Sequence, residues 1–261
     1  MRVIAAVTAA ALLAVTGVAA TAAPAAEPEP KPTVVLVHGA FAESASWSGV
    51  VSRLHKRGYP VIAAANPLRG LASDSEHVSR IVKNVKGPVV LAGHSYGGSV
   101  ISNAARGNAN VKGLVFVAAF APDKGETALG LSSKFPGSTL GETLEQVPLG
   151  DGTADLSIRQ DRFRQQFAAD LSPADAALNA ATQRPIRDAA LAEGSGDPAW
   201  RSVPSWFLLA GADRNIPLAA QRFMAERAKA RQIAEIGGAS HSVGISHPGA
   251  VVDLIVKAAS S

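Results

Sequence analysis

The strongest chemical signal in the sequence is a serine flanked by glycines, Gly93-His94-Ser95-Tyr96-Gly97. An apolar, valine-rich run at residues 89–92 precedes it, and a stretch that can continue as a helix follows from Ser99. Strand, tight turn and helix are the setting in which Gly-x-Ser-x-Gly presents a nucleophile, because the glycines allow strand and helix to approach. So short a pattern also arises by chance, and the prediction therefore depends on partners elsewhere in the chain.

A serine hydroxyl becomes a nucleophile when a histidine takes its proton and a carboxylate orients that histidine. Asp213 and His241 each follow an apolar run that predicts a strand, as Ser95 does. Functional groups of an open parallel sheet gather beyond the carboxyl ends of its strands. The chain order serine, acid, histidine is typical of serine enzymes built on such sheets. We therefore predict Ser95, Asp213 and His241 as nucleophile, acid and base.

Each role has a rival in the sequence. The histidines number six: His38, His55, His77, His94, His241 and His247. His241 is preferred because it lies in a glycine- and serine-rich loop after the final strand, whereas His94 should point away from the nucleophile. Asp123 also follows a strand, but its Pro-Asp context favours a turn. Asp213 follows the strand next to the one that delivers His241.

Backbone amides are expected to stabilise the oxyanion of an acyl-transfer reaction. One is the amide of Tyr96, directly after the nucleophile at a helix N-terminus. The other should come from the loop after the first strand, where we predict Ala40 and keep Phe41 as the alternative. His38, at the start of that loop, is interpreted as a structural hydrogen-bonding residue.

The elements that must position these residues alternate between strands and helices. The predicted strands are residues 33–37, 59–64, 89–92, 111–117, 204–210 and 232–236. Between them, helices are predicted from Ser44 or Ser46 to Arg57, from Ser73 or Asp74 to about Val85, and at residues 99–105 and 217–230, with a last one from Pro248. The pattern predicts an α/β fold with a mostly parallel sheet of about six strands flanked by helices.

Residues 124–201 interrupt this alternation. Glycine and proline are frequent there, no strong strand is evident, and helices are predicted at about 158–169 and 173–182. We therefore predict a helical lid over the strand ends, inside a single domain of residues 33–261. Among the apolar residues of this segment, some are expected to line a substrate pocket and most to form the core of the lid: Leu129, Leu131, Phe135, Leu140, Leu144, Phe163 and Phe167.

The N-terminus has the plan of a secretory signal peptide, with Met1-Arg2 followed by an uncharged, alanine- and valine-rich run at residues 3–20. Residues 1–26 form this peptide and the start of a spacer, and cleavage after Ala22, Ala23 or Ala26 is equally compatible with the sequence. A retained membrane anchor is the competing interpretation. We expect a secreted or extracytoplasmic protein without membrane contact after cleavage.

Composition excludes several classes of function. The chain has no cysteine, which removes disulfides, thiol catalysis and thiolate metal sites. Its formal net charge of +4 is scattered, without a basic run, so nucleic acid is not an expected partner. We expect no metal and no cofactor, and a small apolar ester as the substrate.

From Thr33 to Ser261 the chain resembles the α/β-hydrolase superfamily, in particular its small-lid esterase and hydroxynitrile-lyase-like branch. The matching pieces are residues 35–40, 93–98, 212–217 and 240–242 with 246–248. The resemblance implies an α/β-hydrolase fold, the triad Ser95, Asp213 and His241, and an oxyanion hole from the amides of Ala40 and Tyr96. It also implies hydrolysis of carboxylic esters through an acyl-enzyme.

The sequence departs from the lyases of this branch at two positions. Those lyases have a threonine after the first-strand histidine and a lysine after the catalytic histidine, where this chain has Gly39 and Ser242. The departure favours an esterase over a lyase. A lyase-like activity, a cofactor-free haloperoxidase or perhydrolase activity, and a non-catalytic binding protein remain the alternatives.

Overall fold

The computed structural model describes residues 3, 5, 6 and 30–261. All but three residues of the predicted signal peptide, and all of its predicted cleavage sites, lie outside this range. Among the residues described, no helix has both the length and the apolar character needed to cross a bilayer. Residues Lys31–Ser261 form one unit.

The first part of that unit alternates strands and helices. In chain order they are β1 (Thr33–Val37), α1 (Ser48–Lys56), β2 (Val61–Ala64), α2 (Leu71–Asn84), β3 (Val89–His94), α3 (Tyr96–Ala104) and β4 (Val111–Val117). A 3₁₀ turn at Ser44–Trp47 leads into α1. The strands match the predicted ones closely, because continuous runs of valine, leucine and isoleucine are typical of strands buried on both faces.

The lid follows, and it is not wholly helical as the sequence predicted. Its elements are α4 (Ala128–Ser133), β5 (Leu144–Pro148), β6 (Ala154–Ile158), α5 (Gln160–Phe167), α6 (Pro173–Ala181), β7 (Ile186–Arg187) and α7 (Asp188–Ala192). The three strands form a small antiparallel sheet in the order β5-β6-β7. A further 3₁₀ turn lies at Leu140–Thr143.

The cause of this correction is a short hairpin. In β6, Ala154, Leu156 and Ile158 are buried while the residues between them are only partly covered, which is the alternation of a strand with one face on a core. Gly150 and Gly152 both have positive φ values, 81° and 85°, in the turn before it. The signal was weak because four of the five residues of the partner strand β5 are exposed.

The final part restores the α/β alternation. It contains β8 (Ser205–Ala210), α8 (Leu218–Arg227), β9 (Gln232–Ile236), α9 (Val243–Ser246) and α10 (Pro248–Ala259), with a 3₁₀ turn at Ala199–Arg201 before β8. The main sheet has six strands in the order β2-β1-β3-β4-β8-β9, and every pairing in it is parallel. The predicted fold class is confirmed.

Two hydrophobic cores cover the faces of this sheet. Successive residues of one strand point to opposite faces, so Val35 and Val37 enter one core while Val34 and Leu36 enter the other. Burying each such side chain contributes about 1.5–3 kcal/mol relative to leaving it exposed. Because all strands run the same way, the carboxyl ends of β1, β3, β8 and β9 meet at one edge.

Helix α2 begins earlier than the predicted start at Ser73 or Asp74. Its N-cap position is Gly70, which has no side chain to cap the helix. The Glu193 carboxylate of the lid accepts hydrogen bonds from the amides of Leu71 (2.5 Å) and Ala72 (3.1 Å) instead. A carboxylate at this end satisfies free N–H groups and offsets the positive end of the helix dipole. The lid therefore sets the start of α2.

Gly97 lies where the start of α3 approaches the end of β1 most closely. A Cβ there would meet the Val37 carbonyl oxygen and lie 2.9 Å from that of His38, and both belong to backbone at the sheet centre.

We expect Gly97→Ala to lower the free energy of unfolding by about 1–3 kcal/mol, because the new methyl group would force these backbone segments apart. Gly249→Ala in α10 is the matched control, because among the described residues no atom outside its chain neighbours and its own helix backbone lies within 4 Å of the new Cβ. It should be neutral or stabilising by up to about 1 kcal/mol. Urea unfolding followed by circular dichroism measures both, and equal effects would contradict the close approach.

Candidate active site

Ser95 occupies a strained turn between β3 and α3. Its backbone has φ 54° and ψ −126°, a combination that costs a non-glycine residue of order 1–3 kcal/mol. Hydrogen bonds on both sides hold it: its amide donates to the Val117 carbonyl oxygen (3.3 Å), and its carbonyl oxygen accepts from the amides of Gly98 (2.9 Å) and Phe120 (3.1 Å). This backbone conformation directs the Ser95 hydroxyl away from the sheet at the end of β3.

Glycines make room for this turn. A Cβ at Gly93 would lie 2.5 Å from the Gly97 carbonyl oxygen, and a Cβ at Gly39 would lie 2.6 Å from the Cβ of Ser95. Real Cβ atoms do not approach other atoms so closely, so a side chain at either position would force strand, helix or loop apart. The two glycines of Gly-x-Ser-x-Gly and the glycine after His38 are therefore required by geometry.

The structure brings the three predicted side chains into one hydrogen-bonded series. His241 Nε2 lies 2.8 Å from Ser95 Oγ, and His241 Nδ1 lies 2.7 Å from Asp213 Oδ2. All three residues are buried. A carboxylate only accepts, so Nδ1 carries the proton and Nε2 of the neutral ring accepts from the serine hydroxyl. This arrangement can remove a proton from Ser95 and stabilise the resulting imidazolium.

Four donors surround the Asp213 carboxylate. Oδ1 accepts from the amides of Asn215 (2.7 Å) and Ile216 (3.0 Å), and Oδ2 accepts from Gln221 Nε2 (3.1 Å) in addition to His241. These bonds compensate a charge removed from water. Sequence reasoning missed Gln221, which is buried on α8; a glutamine inside a predicted helix carries no pattern that distinguishes it from a surface residue.

Asp123, the rival acid, is engaged elsewhere. Both of its carboxylate oxygens accept from Arg201 at 2.7 Å. Although partial burial opposes ionisation, the hydrogen bonds from Arg201 and the Lys124 amide hold the pKa of the Asp123 carboxyl below its usual value. Within residues 30–261 it bonds to no histidine.

His38 links the two loops that follow β1 and β2. Its Nε2 accepts from the Asn66 amide at 3.0 Å, its Nδ1 donates to the Gly39 carbonyl oxygen at 2.9 Å, and its own carbonyl oxygen accepts from Asn66 Nδ2 at 3.0 Å. Burial lowers the pKa of His38 and keeps the ring neutral. These contacts fix the loop that carries Ala40.

His94 has a contact that sequence reasoning did not foresee. Its Nε2 donates to the carbonyl oxygen of His241 at 2.9 Å, and the two ring centroids are 4.7 Å apart. Burial, with a smaller contribution from His241, lowers the pKa of His94 well below its usual value. The ring thus supports the His241 loop without bonding to the nucleophile. The two histidines are 147 residues apart in the chain, so no local pattern could reveal the contact.

The two amides predicted to bind an oxyanion are available. In the described chain neither the Ala40 amide nor the Tyr96 amide has a hydrogen-bond acceptor. The alternative donor, the Phe41 amide, is occupied because it donates to the Arg184 carbonyl oxygen of the lid at 3.1 Å. The geometry therefore favours Ala40 over Phe41.

A cavity of about 460 Å³ opens on Ser95 and His241. Its walls are mostly apolar, and in the described chain no aspartate, glutamate, lysine or arginine lines it. Of the seven lid residues singled out from the sequence, the following contribute to its wall: Leu129, Phe135, Leu140 and Leu144. Leu131, Phe163 and Phe167 are instead buried in the protein core. Within residues 30–261, no cluster of three or more acidic or histidine side chains could hold a metal ion.

The lid also holds the loop of His241. The Phe167 carbonyl oxygen, at the end of α5, accepts from the amide (3.0 Å) and the hydroxyl (2.9 Å) of Ser242. The Phe167 ring packs edge-on against His241 with centroids 4.8 Å apart. Ser242, the residue that takes the place of the lyases' lysine, therefore has its hydroxyl directed to the lid.

Known proteins resemble this chain over most of its length. The model of the alpha/beta hydrolase family matches residues 34–254. An alpha-hydroxynitrile lyase of Arabidopsis thaliana is 25% identical over 256 residues, covering 86% of this chain and 96% of its own length. A pyrethroid hydrolase of Sphingobium wenxiniae is 29% identical over 218 residues, covering 73% of this chain and 74% of its own.

The solved structures show the same fold. The crystal structure of polyneuridine aldehyde esterase superposes with a TM-score of 0.75 at 20% sequence identity, and the match covers 87% of this chain and 98% of that one. The chain belongs to the α/β hydrolase family. The resemblance noted in the motifs is confirmed, with esterases and a hydroxynitrile lyase among the similar proteins.

The two buried imidazoles predict how stability depends on pH. The pKa of both His38 and His94 lies below the ordinary value of 6.5 in the folded protein. Below that pH the unfolded chain binds more protons than the folded one, so stability rises with pH and is lost as the pH falls. From pH 6.5 to about 5.5, we expect the free energy of unfolding to fall by up to about 1.4 kcal/mol per pH unit for each histidine.

Urea unfolding at a series of pH values measures this slope. His94→Gln should remove the part of the slope that His94 contributes. His77→Gln, an exposed histidine on α2, is the matched control and should leave the slope as it is. A His94→Gln slope equal to that of the unmodified protein would contradict the prediction.

Proposed function

We propose that the protein is a serine hydrolase that cleaves carboxylic esters through an acyl-enzyme. The observation that carries this proposal is the series Ser95–His241–Asp213, with contacts of 2.8 and 2.7 Å. Beside it lie two backbone amides that have no acceptor among the residues the structure describes. The pyrethroid hydrolase among its relatives and its membership of a hydrolase family support the same reaction class.

The proposed reaction uses each group once in each half. His241 Nε2 accepts the proton as Ser95 Oγ attacks the ester carbonyl, and the amides of Ala40 and Tyr96 bind the developing oxyanion. Asp213 stabilises the imidazolium. The alcohol leaves with the proton from His241. Water then attacks the acyl-enzyme as His241 accepts its proton, and Ser95 leaves with that proton, which releases the acid.

The cavity favours a neutral, apolar ester. Its volume of about 460 Å³ lies in the usual range for small-molecule sites. A charged group on the substrate would leave water for a wall that, within residues 30–261, offers no opposite charge, which costs several kcal/mol. Leu129, Phe135 and Leu140 supply apolar surface for an acyl or alcohol group instead.

A hydroxynitrile-lyase-like activity is the second candidate, because a lyase is among the relatives. Two positions oppose it. Gly39 leaves no room for a larger side chain, since a Cβ there would lie 2.6 Å from the Cβ of Ser95. Ser242 provides no cation for cyanide. Release of cyanide from a cyanohydrin at a rate above that of ester cleavage would favour the lyase, and peroxide-dependent halogenation would favour the haloperoxidase.

We further propose that the protein is exported. Met1-Arg2 followed by the uncharged run at residues 3–20 supports this proposal. Determining the N-terminus of protein recovered outside the cytoplasm tests it: a start at Ala23, Pro24 or Glu27 is expected, and an intact Met1 would contradict it.

Removal of the nucleophile tests the reaction. We expect Ser95→Ala to lower kcat/KM on a p-nitrophenyl acyl ester by about 10³-fold or more, because nothing replaces the attacking oxygen. Ser99→Ala is the matched control, since Ser99 is a buried serine of α3 whose hydroxyl lacks a partner in the described chain; its activity should stay within about twofold. A fluorophosphonate probe should label Ser95 in the unmodified protein. Full activity in Ser95→Ala, or an unlabelled Ser95, would contradict the proposal.

Charge discrimination tests the substrate class. Methyl hexanoate and monomethyl adipate have acyl chains of equal length and differ in a terminal methyl or carboxylate group. We expect kcat/KM to be higher for the neutral ester by about 10²-fold or more, because the cavity cannot pair the carboxylate. Acid release in a pH-stat measures both rates, and dimethyl adipate is the neutral control of similar size. Equal rates for the two monoesters would contradict the assignment.

A further inference from the structure

Asp74 is a carboxylate without solvent exposure that takes no part in the proposed reaction. It lies in the first turn of α2. Its Oδ2 accepts a hydrogen bond of 2.9 Å from the hydroxyl of Tyr96, and its Oδ1 accepts one of 3.1 Å from the Arg69 amide. A buried carboxylate is costly unless it is well bonded, so its contact with the residue after the nucleophile calls for an explanation.

We propose that the Asp74–Tyr96 hydrogen bond positions the backbone amide of Tyr96 for oxyanion binding. This inference rests on the proposed function, in which that amide is one of two oxyanion donors. On this view the side chains of Tyr96 and Asp74 are positioning groups. They act on the reaction only by fixing the direction of the Tyr96 N–H group.

The need for such support follows from the peptide between Ser95 and Tyr96. Its carbonyl oxygen accepts from two amides, those of Gly98 and Phe120, whereas in the described chain its N–H group has no acceptor. The preceding Ser95 is held at φ 54°, and relaxation of that strain would rotate the peptide plane and turn the N–H group away. The side chain of Tyr96, anchored to α2, opposes this rotation from the other end.

The anchor is itself held in place by the lid. Arg69, whose amide binds Asp74, extends its guanidinium to Asp155 in β6 at 2.7 Å and to the Pro185 carbonyl oxygen at 2.8 Å. Glu193 of the lid caps the helix that carries Asp74. A continuous series of hydrogen bonds thus links the residue that carries the proposed oxyanion amide, Tyr96, to the lid.

The Tyr96 hydroxyl keeps the protonated state that this role requires, while burial raises the pKa of the Asp74 carboxyl above its usual value. Burial raises the pKa of the Tyr96 hydroxyl, and the nearby Asp74 carboxylate raises it further. The hydroxyl therefore stays protonated and donates throughout the working pH range. Asp74 accepts on both oxygens, so loss of the Tyr96 hydroxyl would leave one of them without a partner.

Tyr96→Phe tests the proposal, since it removes the hydroxyl and keeps the ring. Loosening an oxyanion donor weakens transition-state binding and leaves ground-state binding unchanged. We expect kcat on a p-nitrophenyl ester to fall about 10-fold, with KM within about twofold. The inhibition constant of a trifluoromethyl ketone, which forms an oxyanion on Ser95, should rise by the same factor as kcat falls. Tyr59→Phe, at the other tyrosine of the chain, is the matched control and should change neither quantity.

Asp74→Asn provides a second variant that keeps volume and an acceptor oxygen. It should reproduce the pattern more weakly, and the double variant should match Tyr96→Phe alone, because both changes affect one bond. Additive losses in the double variant, or a Tyr96→Phe inhibition constant equal to that of Tyr59→Phe, would overturn the inference. A fall in kcat without any change in ketone affinity would also overturn it. Failure of the proposed function would instead appear in the unmodified protein as an unlabelled Ser95.

Discussion

The structure depends on one close approach of backbone segments, at the carboxyl end of β3. The loop after β1, the strained Ser95 and the first turn of α3 pass each other at distances that exclude a Cβ at Gly39, Gly93 or Gly97. Such proximity brings the loop that carries Ala40 directly beside Ser95 and the first turn of α3, which loosely packed loops could not do. The parallel sheet supplies the rigidity, because hydrogen bonds from both neighbouring strands fix β3.

The lid does more than cover the cavity. It provides the carboxylate of Glu193 for α2, the carbonyl oxygen of Arg184 for the Phe41 amide and the carbonyl oxygen of Phe167 for Ser242. Each of these lid groups accepts a hydrogen bond from a loop or helix beside the candidate site. The bond to Arg184 occupies the Phe41 amide, whereas in the part of the chain that the structure describes the Ala40 amide has no acceptor.

Sequence alone sufficed for the sheet and for the three side chains that the structure brings together. Strands buried on both faces have a strong apolar signal, and parallel strands place whatever follows them at one edge. His94 and Gln221 could not be assigned their contacts, because each bonds to a residue whose position only the tertiary fold defines. The β5–β6 hairpin was missed for a different reason: one of its strands is largely exposed, and the alternation in the other spans only five residues.

The hydrogen bond from the Phe41 amide to Arg184 has a consequence for engineering. A chimaera that exchanges residues 124–201 for the corresponding segment of a related enzyme would remove acceptors on which the scaffold relies, whatever pocket the transplanted segment brought with it. Altering selectivity by such grafting requires that the carbonyl of Arg184, the carboxylate of Glu193 and the end of α5 be reproduced in the donor segment. Single replacements on the cavity wall, at Leu129 or Phe135 for instance, leave those anchors intact.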